Sequence, residues 1–200
     1  MARHPLKSAR HHAAPGRVRI IGGSLRGSRL DVLDVQGLRP TPDRVRETLF
    51  NWLMPVIAGA RCLDLFAGTG ALGVEALSRG AASVDFVESD AGLAASLRTN
   101  LARLKQTANV HQSNASRFLE SSGDAYDIVF VDPPFADDLW DAAMQTLERS
   151  SRLHDSAWIY VESPTDRNIV APAHWHLHRD GRAGAVRFAL YRRTKPSAKL

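Results

Sequence analysis

Arg61-Cys62-Leu63-Asp64-Leu65-Phe66-Ala67-Gly68-Thr69-Gly70 reads as a short buried strand that runs into a glycine turn, and Ala71 to Ser78 follows as a helix. Strand, turn and helix in that order make a ligand-binding crossover. Gly68 and Gly70 let the backbone come close to a ligand, and the helix N-terminus offers unpaired N–H groups to a carboxylate or phosphate. Gly73 extends the spacing to G-x-G-x-x-G, and Glu88 closes a second strand, Ser83 to Val87, where a ribose-binding acid belongs. A nicotinamide or flavin enzyme therefore fits this segment taken alone. The plainer alternative is a turn whose glycines only pack a helix against a strand.

Downstream the pattern alternates: Ala91 to Leu104 as helix, Asn109 to Gln112 as strand, Ala115 to Glu120 as a short helix, Tyr126 to Val131 as strand, and Asp137 to Arg149 as helix. Such alternation argues for an α/β fold with a mainly parallel sheet and helices on both faces. After a further strand, Ala157 to Glu162, the chain turns through Pro164 and Pro172. Trp175 to Arg179 and Val186 to Arg192 then read as a closing hairpin that adds an antiparallel strand. His174, His176 and His178 share one strand face, which an ordinary half-exposed strand explains. No metal is assigned.

Asp132-Pro133-Pro134-Phe135 falls directly after the Tyr126 to Val131 strand, on the carboxyl edge of the sheet where α/β ligands bind. The tetrapeptide suits an exocyclic amine on a nucleobase, whose lone pair is delocalised into the ring and is a poor nucleophile. A carboxylate at Asp132 and the backbone carbonyl of Pro133 can accept the two N–H bonds, leaving the nitrogen lone pair aimed at an incoming methyl group. Phe135 can stack on the base, while Pro133 and Pro134 fix φ and remove competing donors. The plainer reading is a strand that ends in a rigid Pro-Pro turn. Two features favour S-adenosylmethionine over a dinucleotide. Asp64 and Phe66 end the first strand, where a pyrophosphate would be repelled and a sulfonium cofactor with an ammonium group tolerated. A dinucleotide enzyme also leaves Asp132 to Phe135 without a role.

With these motifs in place, the chain resembles the bacterial methyltransferases that modify N2 of guanine 966 in 16S ribosomal RNA. The resemblance runs through Arg19-Ile20-Ile21-Gly22-Gly23, Gly37-Leu38-Arg39-Pro40-Thr41, Asp43-Arg44-Val45-Arg46-Glu47-Thr48-Leu49-Phe50-Asn51-Trp52-Leu53, the Asp64 loop and Ile128-Val129-Phe130-Val131-Asp132-Pro133-Pro134-Phe135. Only about the first 16 residues and the last few lie outside it. The glycine loop and the Pro-Pro motif are shared by many amino-methylating enzymes, whereas the Arg39 to Phe50 block is particular to this family. The resemblance implies a Rossmann-like class I methyltransferase with a seven-stranded sheet, preceded by an N-terminal β-hairpin and helix. It also implies S-adenosylmethionine as cofactor, held by the loop Asp64, Phe66, Ala67, Gly68, Thr69 and Gly70 at its methionine portion. Glu88 would take the ribose hydroxyls, with Asn114 and Ala115 near the adenine. Asn114 has a second use, as cap of the helix from Ala115. Relatives acting on guanine N2 elsewhere in ribosomal RNA commonly carry asparagine where this chain has Asp132. Either Asp132 or water is thus open as the final proton acceptor.

Charge is unevenly placed. Residues 1–50 hold ten Lys/Arg against four Asp/Glu, residues 179–200 hold seven against one, and residues 51–178 hold nine against sixteen. Basic ends around an acidic middle suit a polyanionic substrate and a cationic cofactor. Residues 1–16 read as a disordered basic arm, 17–56 as an RNA-facing hairpin and helix, 57–195 as the catalytic domain, and 196–200 as a tail. In the hairpin, Val18 to Ile21 and Ser28 to Val32 bring Arg19, Arg26 and Arg29 together. Thr41 as N-cap and Pro42 at the first helical position predict a helix to Trp52 or Leu53, with Val45, Leu49 and Leu53 facing the core. Arg44 and Arg46 lie off that stripe, and the resemblance sets them, with Arg39 and Thr41, against RNA.

At 200 residues and 44% hydrophobic content the chain fills one doubly wound sheet and little more. A single cysteine, Cys62, fits a reducing compartment, and no stretch approaches the length of a membrane span. A cytoplasmic monomer acting on the 16S RNA of the assembling small ribosomal subunit is expected. A DNA adenine-N6 methyltransferase shares the Asp-Pro-Pro-aromatic motif but usually carries a recognition insert that this length leaves no room for. A non-catalytic RNA-binding protein is the remaining alternative.

Overall fold

A computed structural model describes residues 16–33 and 41–194. The predicted basic arm, Arg39 and the C-terminal tail lie outside the described residues, apart from Gly16. Nine strands and five α-helices are described: β1 (Gly16–Arg19), β2 (Arg29–Val32), α1 (Asp43–Leu53), β3 (Arg61–Asp64), α2 (Ala71–Ser78), β4 (Ser83–Glu88), α3 (Ala91–Arg103), β5 (Asn109–Gln112), α4 (Ala115–Glu120), β6 (Tyr126–Val131), α5 (Trp140–Arg149), β7 (Leu153–Pro164), β8 (Trp175–Ala183) and β9 (Val186–Arg193). Among the described residues no helix is long and apolar enough to cross a membrane.

Seven strands form one sheet in the order β5-β4-β3-β6-β7-β9-β8. The first five are parallel, and β9 runs antiparallel between β7 and β8. The fold is therefore the expected α/β sheet with a closing antiparallel hairpin. Helices cover both faces because the central strands are apolar on both, as β6 shows: Ile128, Val129, Phe130 and Val131 are all fully buried. Cys62, Phe86, Ile128, Phe130 and Tyr160 pack under α1, α2 and α3, while Leu63, Val87, Val129, Val131 and Ile159 pack under α4 and α5. Val18, Ile20 and Leu30 of the hairpin belong to the first of these cores. The expected N-terminal module thus shares its hydrophobic core with the sheet.

Two helix starts differ from the sequence expectation. α1 begins at Asp43 with Pro42 at its N-cap position, and no side chain caps it. The Thr41 hydroxyl instead lies 3.4 Å from Asp132 Oδ2. α5 begins at Trp140, three residues late, because Phe135–Asp137 forms a 3-10 turn and Asp138 adopts φ 48°. A left-handed residue cannot continue a right-handed helix. The break leaves Phe135 turned outward, its ring 5.6 Å from that of Trp140.

Candidate active site

The loops after β3, β4, β5, β6 and β7 meet at the carboxyl edge of the sheet around one cavity of about 1320 Å³. That exceeds the roughly 300–1,000 Å³ of an ordinary small-molecule pocket, so two ligands can share it. Asp64, Phe66, Ala67, Gly68 and Thr69 line it from the first loop, Glu88 from the second, Asn114 and Ala115 from the third, and Asp132, Pro133, Pro134 and Phe135 from the fourth. Gly70 stands behind this lining. It has φ 77° as the N-cap of α2, and a Cβ there would collide with the Leu97 side chain. Gly73, the third glycine of the motif, lies against Phe86, so its part is helix-to-sheet packing.

Asp64, Glu88 and Asn114 are each held by hydrogen bonds to backbone N–H groups. Asp64 Oδ2 accepts from the Gly73 N–H at 2.9 Å, which joins the end of β3 to α2. Glu88 accepts from the Gly68 and Asp90 N–H groups, both at 2.8 Å, and fixes the glycine turn over β4. The Ser89 hydroxyl also lies 3.5 Å from Glu88 Oε1, and the second lone pair of Oε2 leaves Glu88 able to take a hydroxyl donor from the cavity. The Asn114 Oδ1 accepts from the Arg117 N–H at 2.8 Å, so its oxygen serves as the helix cap.

Period-two alternation sets the electrostatics of the site. Phe130 and Tyr160 are register partners across β6 and β7, and two residues further on Asp132 and Glu162 continue the same face. Glu162 is buried, accepts from the Tyr160 hydroxyl at 2.8 Å, and its backbone oxygen accepts from Trp140 Nε1 at 2.6 Å. Burial, then the negative charges of Glu162 and Asp64, push the Asp132 carboxyl well above the usual range, and the Thr41 hydroxyl pulls it back only in part. Burial raises Glu162 as well, against the hydrogen bond from the Tyr160 hydroxyl. Burial pushes Asp64 up to about 7 despite the Gly73 N–H.

Seven acidic side chains line the cavity (Asp64, Glu88, Asp90, Asp132, Asp137, Glu162 and Asp166) and, among the described residues, no lysine, arginine or histidine. A pyrophosphate would meet repulsion on every side. A cationic ligand, and a base edge rich in N–H donors, would each relieve the burial of unpaired carboxylates. The donor set therefore fits a sulfonium cofactor carrying an ammonium group.

Among the residues expected to face RNA, Arg19, Arg26, Arg29 and Arg44 are exposed, and Arg19 stands opposite Arg29 in the hairpin register. Arg46 is a correction. It is fully buried, donating to the backbone oxygens of Thr41 (3.2 Å) and Arg19 (2.9 Å) and to Asp43 Oδ1 (2.6 Å), and it faces Glu75 at 3.7 Å. A guanidinium spent on four protein groups inside the fold has no surface for a phosphate. Thr41 is a second correction, a cavity residue beside Asp132 in place of a helix cap. Sequence reasoning missed Glu162 and Glu75. Glu162 carried a signal, since it closes a strand on the same edge as Asp132.

The family model described as Conserved hypothetical protein 95 matches residues 18–192. A curated relative from Escherichia coli strain K12, named Ribosomal RNA small subunit methyltransferase D, is 52% identical over 185 residues, spanning 92% of this chain and 93% of the relative. A relative of the same name from Haemophilus influenzae is 45% identical over 183 residues, 89% of this chain and 95% of its own length. The solved structure of yhhF from Escherichia coli superposes with a TM-score of 0.82 at 52% identity, covering 90% of this chain and 99% of the other.

Proposed function

The chain belongs to the Conserved hypothetical protein 95 family, and on that premise we propose that it transfers a methyl group from S-adenosylmethionine to the exocyclic N2 amine of guanine 966 in 16S ribosomal RNA. The observation that carries this reading is the single acid-lined cavity in which the glycine loop after β3 and the Asp132-Pro133-Pro134-Phe135 segment after β6 face one another. The relatives' shared name, a small-subunit ribosomal RNA methyltransferase, supports the substrate class.

The residues divide the work by position along the sheet edge. Asp64 and the Phe66 to Gly68 turn would hold the methionine portion of the cofactor, Glu88 its ribose, and Asn114 with Ala115 its adenine. The cofactor, when bound, supplies an electrophilic methyl group on a positively charged sulfur. Asp132 and the Pro133 carbonyl accept the two N–H bonds of the target amine and orient its lone pair, while Phe135 at the cavity mouth offers a ring for stacking. Positioning of this kind, together with charge placed where it develops, accounts for most of the acceleration. No strong base is needed before attack, because the methylated nitrogen becomes acidic and releases its proton to Asp132 or to water. Positive charge brought into the cavity favours the ionised form of Asp132, the form that accepts N–H bonds.

A guanine amine inside an A-form helix is out of reach of such a cavity, so the target lies in a loop or is rotated out of its stack. The exposed arginines of the hairpin and of α1 are a small recognition surface. RNA shape set by the assembling small subunit then supplies much of the specificity, and the protein works as a monomer in the cytoplasm. Two measurements test the reading together. Calorimetry should detect binding of S-adenosylmethionine and none of NADH, and labelled methyl transfer should be faster to unmodified small subunits than to naked 16S RNA, with none to DNA. NADH binding or transfer to DNA adenine would overturn it.

A further inference from the structure

We infer that Glu162 reads the ring N1–H of the target guanine and so sets the preference for guanine over purines that lack that proton. The inference rests on the methyl-transfer reading above and names a determinant of its substrate.

Strand order supplies the geometry. The edge runs β4, β3, β6, β7, so Glu88, Asp64, Asp132 and Glu162 succeed one another across it. Glu162 stands one strand beyond Asp132 on the side away from the cofactor loops. Val131 and Val161 are register partners, which brings Asp132 and Glu162 abreast at the strand ends, about 4.8 Å apart along the sheet. An amine held at Asp132, between the cofactor loops and β7, therefore extends its ring toward Glu162. Pro164, Ala185 and Val186 complete the apolar wall on that side.

Guanine presents its N2 amine and its N1–H side by side as donors, whereas adenine and 2,6-diaminopurine carry an acceptor at N1. Two neighbouring carboxylates match the first pattern and oppose the second. Two contacts fix the position of Glu162. Tyr160, itself fully buried, donates to its Oε2 at 2.8 Å, and Trp140 anchors its backbone at 2.6 Å. A carboxylate has about four acceptor positions, and the Tyr160 and Thr41 hydroxyls can fill two at most. Facing a ring acceptor, the buried carboxylate would meet a lone pair in place of a proton. A site built to bond a donor rejects the analogue that lacks it far more strongly than an apolar pocket rejects a change of shape.

The substitution Glu162→Gln separates recognition from support. Trp140 bonds the backbone oxygen and is untouched, and the glutamine Oε1 can still accept from Tyr160. Small subunits are reconstituted with 16S RNA carrying either guanine or 2,6-diaminopurine at the target position, which keeps the 2-amine and removes the N1 proton. The wild-type protein should methylate guanine at least about 100-fold better in kcat/KM than 2,6-diaminopurine. E162Q, whose amide can donate to the ring acceptor, should lose activity on guanine and narrow that ratio to below about ten, with S-adenosylmethionine affinity retained. E162D keeps an acceptor and should keep the guanine preference. A wild-type ratio near one, or an unchanged ratio in E162Q, overturns the inference while leaving guanine methylation standing. Should E162Q fail to fold, Glu162→Ala decides: a guanine preference narrowed to below about ten supports the assignment, and a ratio equal to the wild-type protein's contradicts it. Failure of the underlying reading looks different, since the wild type would then leave the guanine particle unmethylated and the inference would fall with it.

Discussion

Two groups of buried charge sit on the same face of this molecule and are built on opposite plans. Around Glu75, cation and anion alternate: its carboxylate accepts from the Ile21, Gly22 and Arg79 N–H groups at 2.8 Å each and faces Arg46 at 3.7 Å. Around Asp132, three carboxyls (Asp64, Asp132 and Glu162) share a cavity with no lysine, arginine or histidine lining it among the described residues. The first group uses its charges on the protein itself and clasps the β1–β2 hairpin and α1 to α2. The second leaves its acceptors for a ligand. Buried charge thus marks function here only where the counter-charge is missing.

The contrast is most readily broken at Glu75. Glu75→Gln should strip the neutralising charge from Arg46 and Arg79, and chemical denaturation should register a loss of about 3–5 kcal/mol, as expected when one partner of a buried ionic network is removed. Asp132→Ala should do the reverse. Turnover should fall about 10²–10³-fold, while the denaturation midpoint holds or rises because an unpaired buried acid has gone. Equal destabilisation by the two substitutions would abolish the distinction. Gly73→Ala should cost about 1–3 kcal/mol by overpacking against Phe86, with cofactor binding retained in the folded fraction.

A smaller effect sharpens the contrast through pH. Burial raises Asp64 to about 7 in the folded protein, against about 3.9 in an unfolded chain. Between those values the folded state holds the proton and the unfolded state does not, so stability falls as pH rises. The contribution is fully present below about pH 4 and is lost on passing about pH 7. Denaturation of the ligand-free protein across that window should show a downward slope in the wild type that is weaker in Asp64→Asn. A slope identical in both would contradict the assignment. The smallest effect belongs to the exposed arginines. Arg26→Ala and Arg29→Ala should each weaken RNA binding uniformly across sequences and reduce the slope of affinity against salt by about one.

How far the sequence exposed this arrangement depended on whether a residue's partner was local. The strands β3 to β6 announced themselves through apolar runs and glycine turns, and the Asp132 segment through its place after a strand, whereas the order of the strands in the sheet came only with the structure. Arg46 was hidden because a charged residue off an apolar helical stripe ordinarily faces water, and its partner Glu75 lies on another helix. α2 is buried on nearly every side, including Glu75 itself, so no periodicity singled that residue out. Thr41 followed by Pro42 carries the pattern of a helix cap, yet its hydroxyl sits beside a carboxylate 91 residues away. The late start of α5 turned on one left-handed residue, Asp138, which nothing in the apolar pattern foretold. Glu162 was legible in principle, from the parity it shares with Asp132 at the strand ends.

Mass spectrometry can identify the methylated nucleotide in 16S RNA from unmodified small subunits incubated with this protein and S-adenosylmethionine bearing a trideuterated methyl group. One labelled nucleoside, N2-methylguanosine, at a single position is expected, formed at least about 100-fold more slowly by the Asp132→Ala protein. Label on an adenine, no label at all, or undiminished N2-methylguanosine from the Asp132→Ala protein would contradict the methyl-transfer reading.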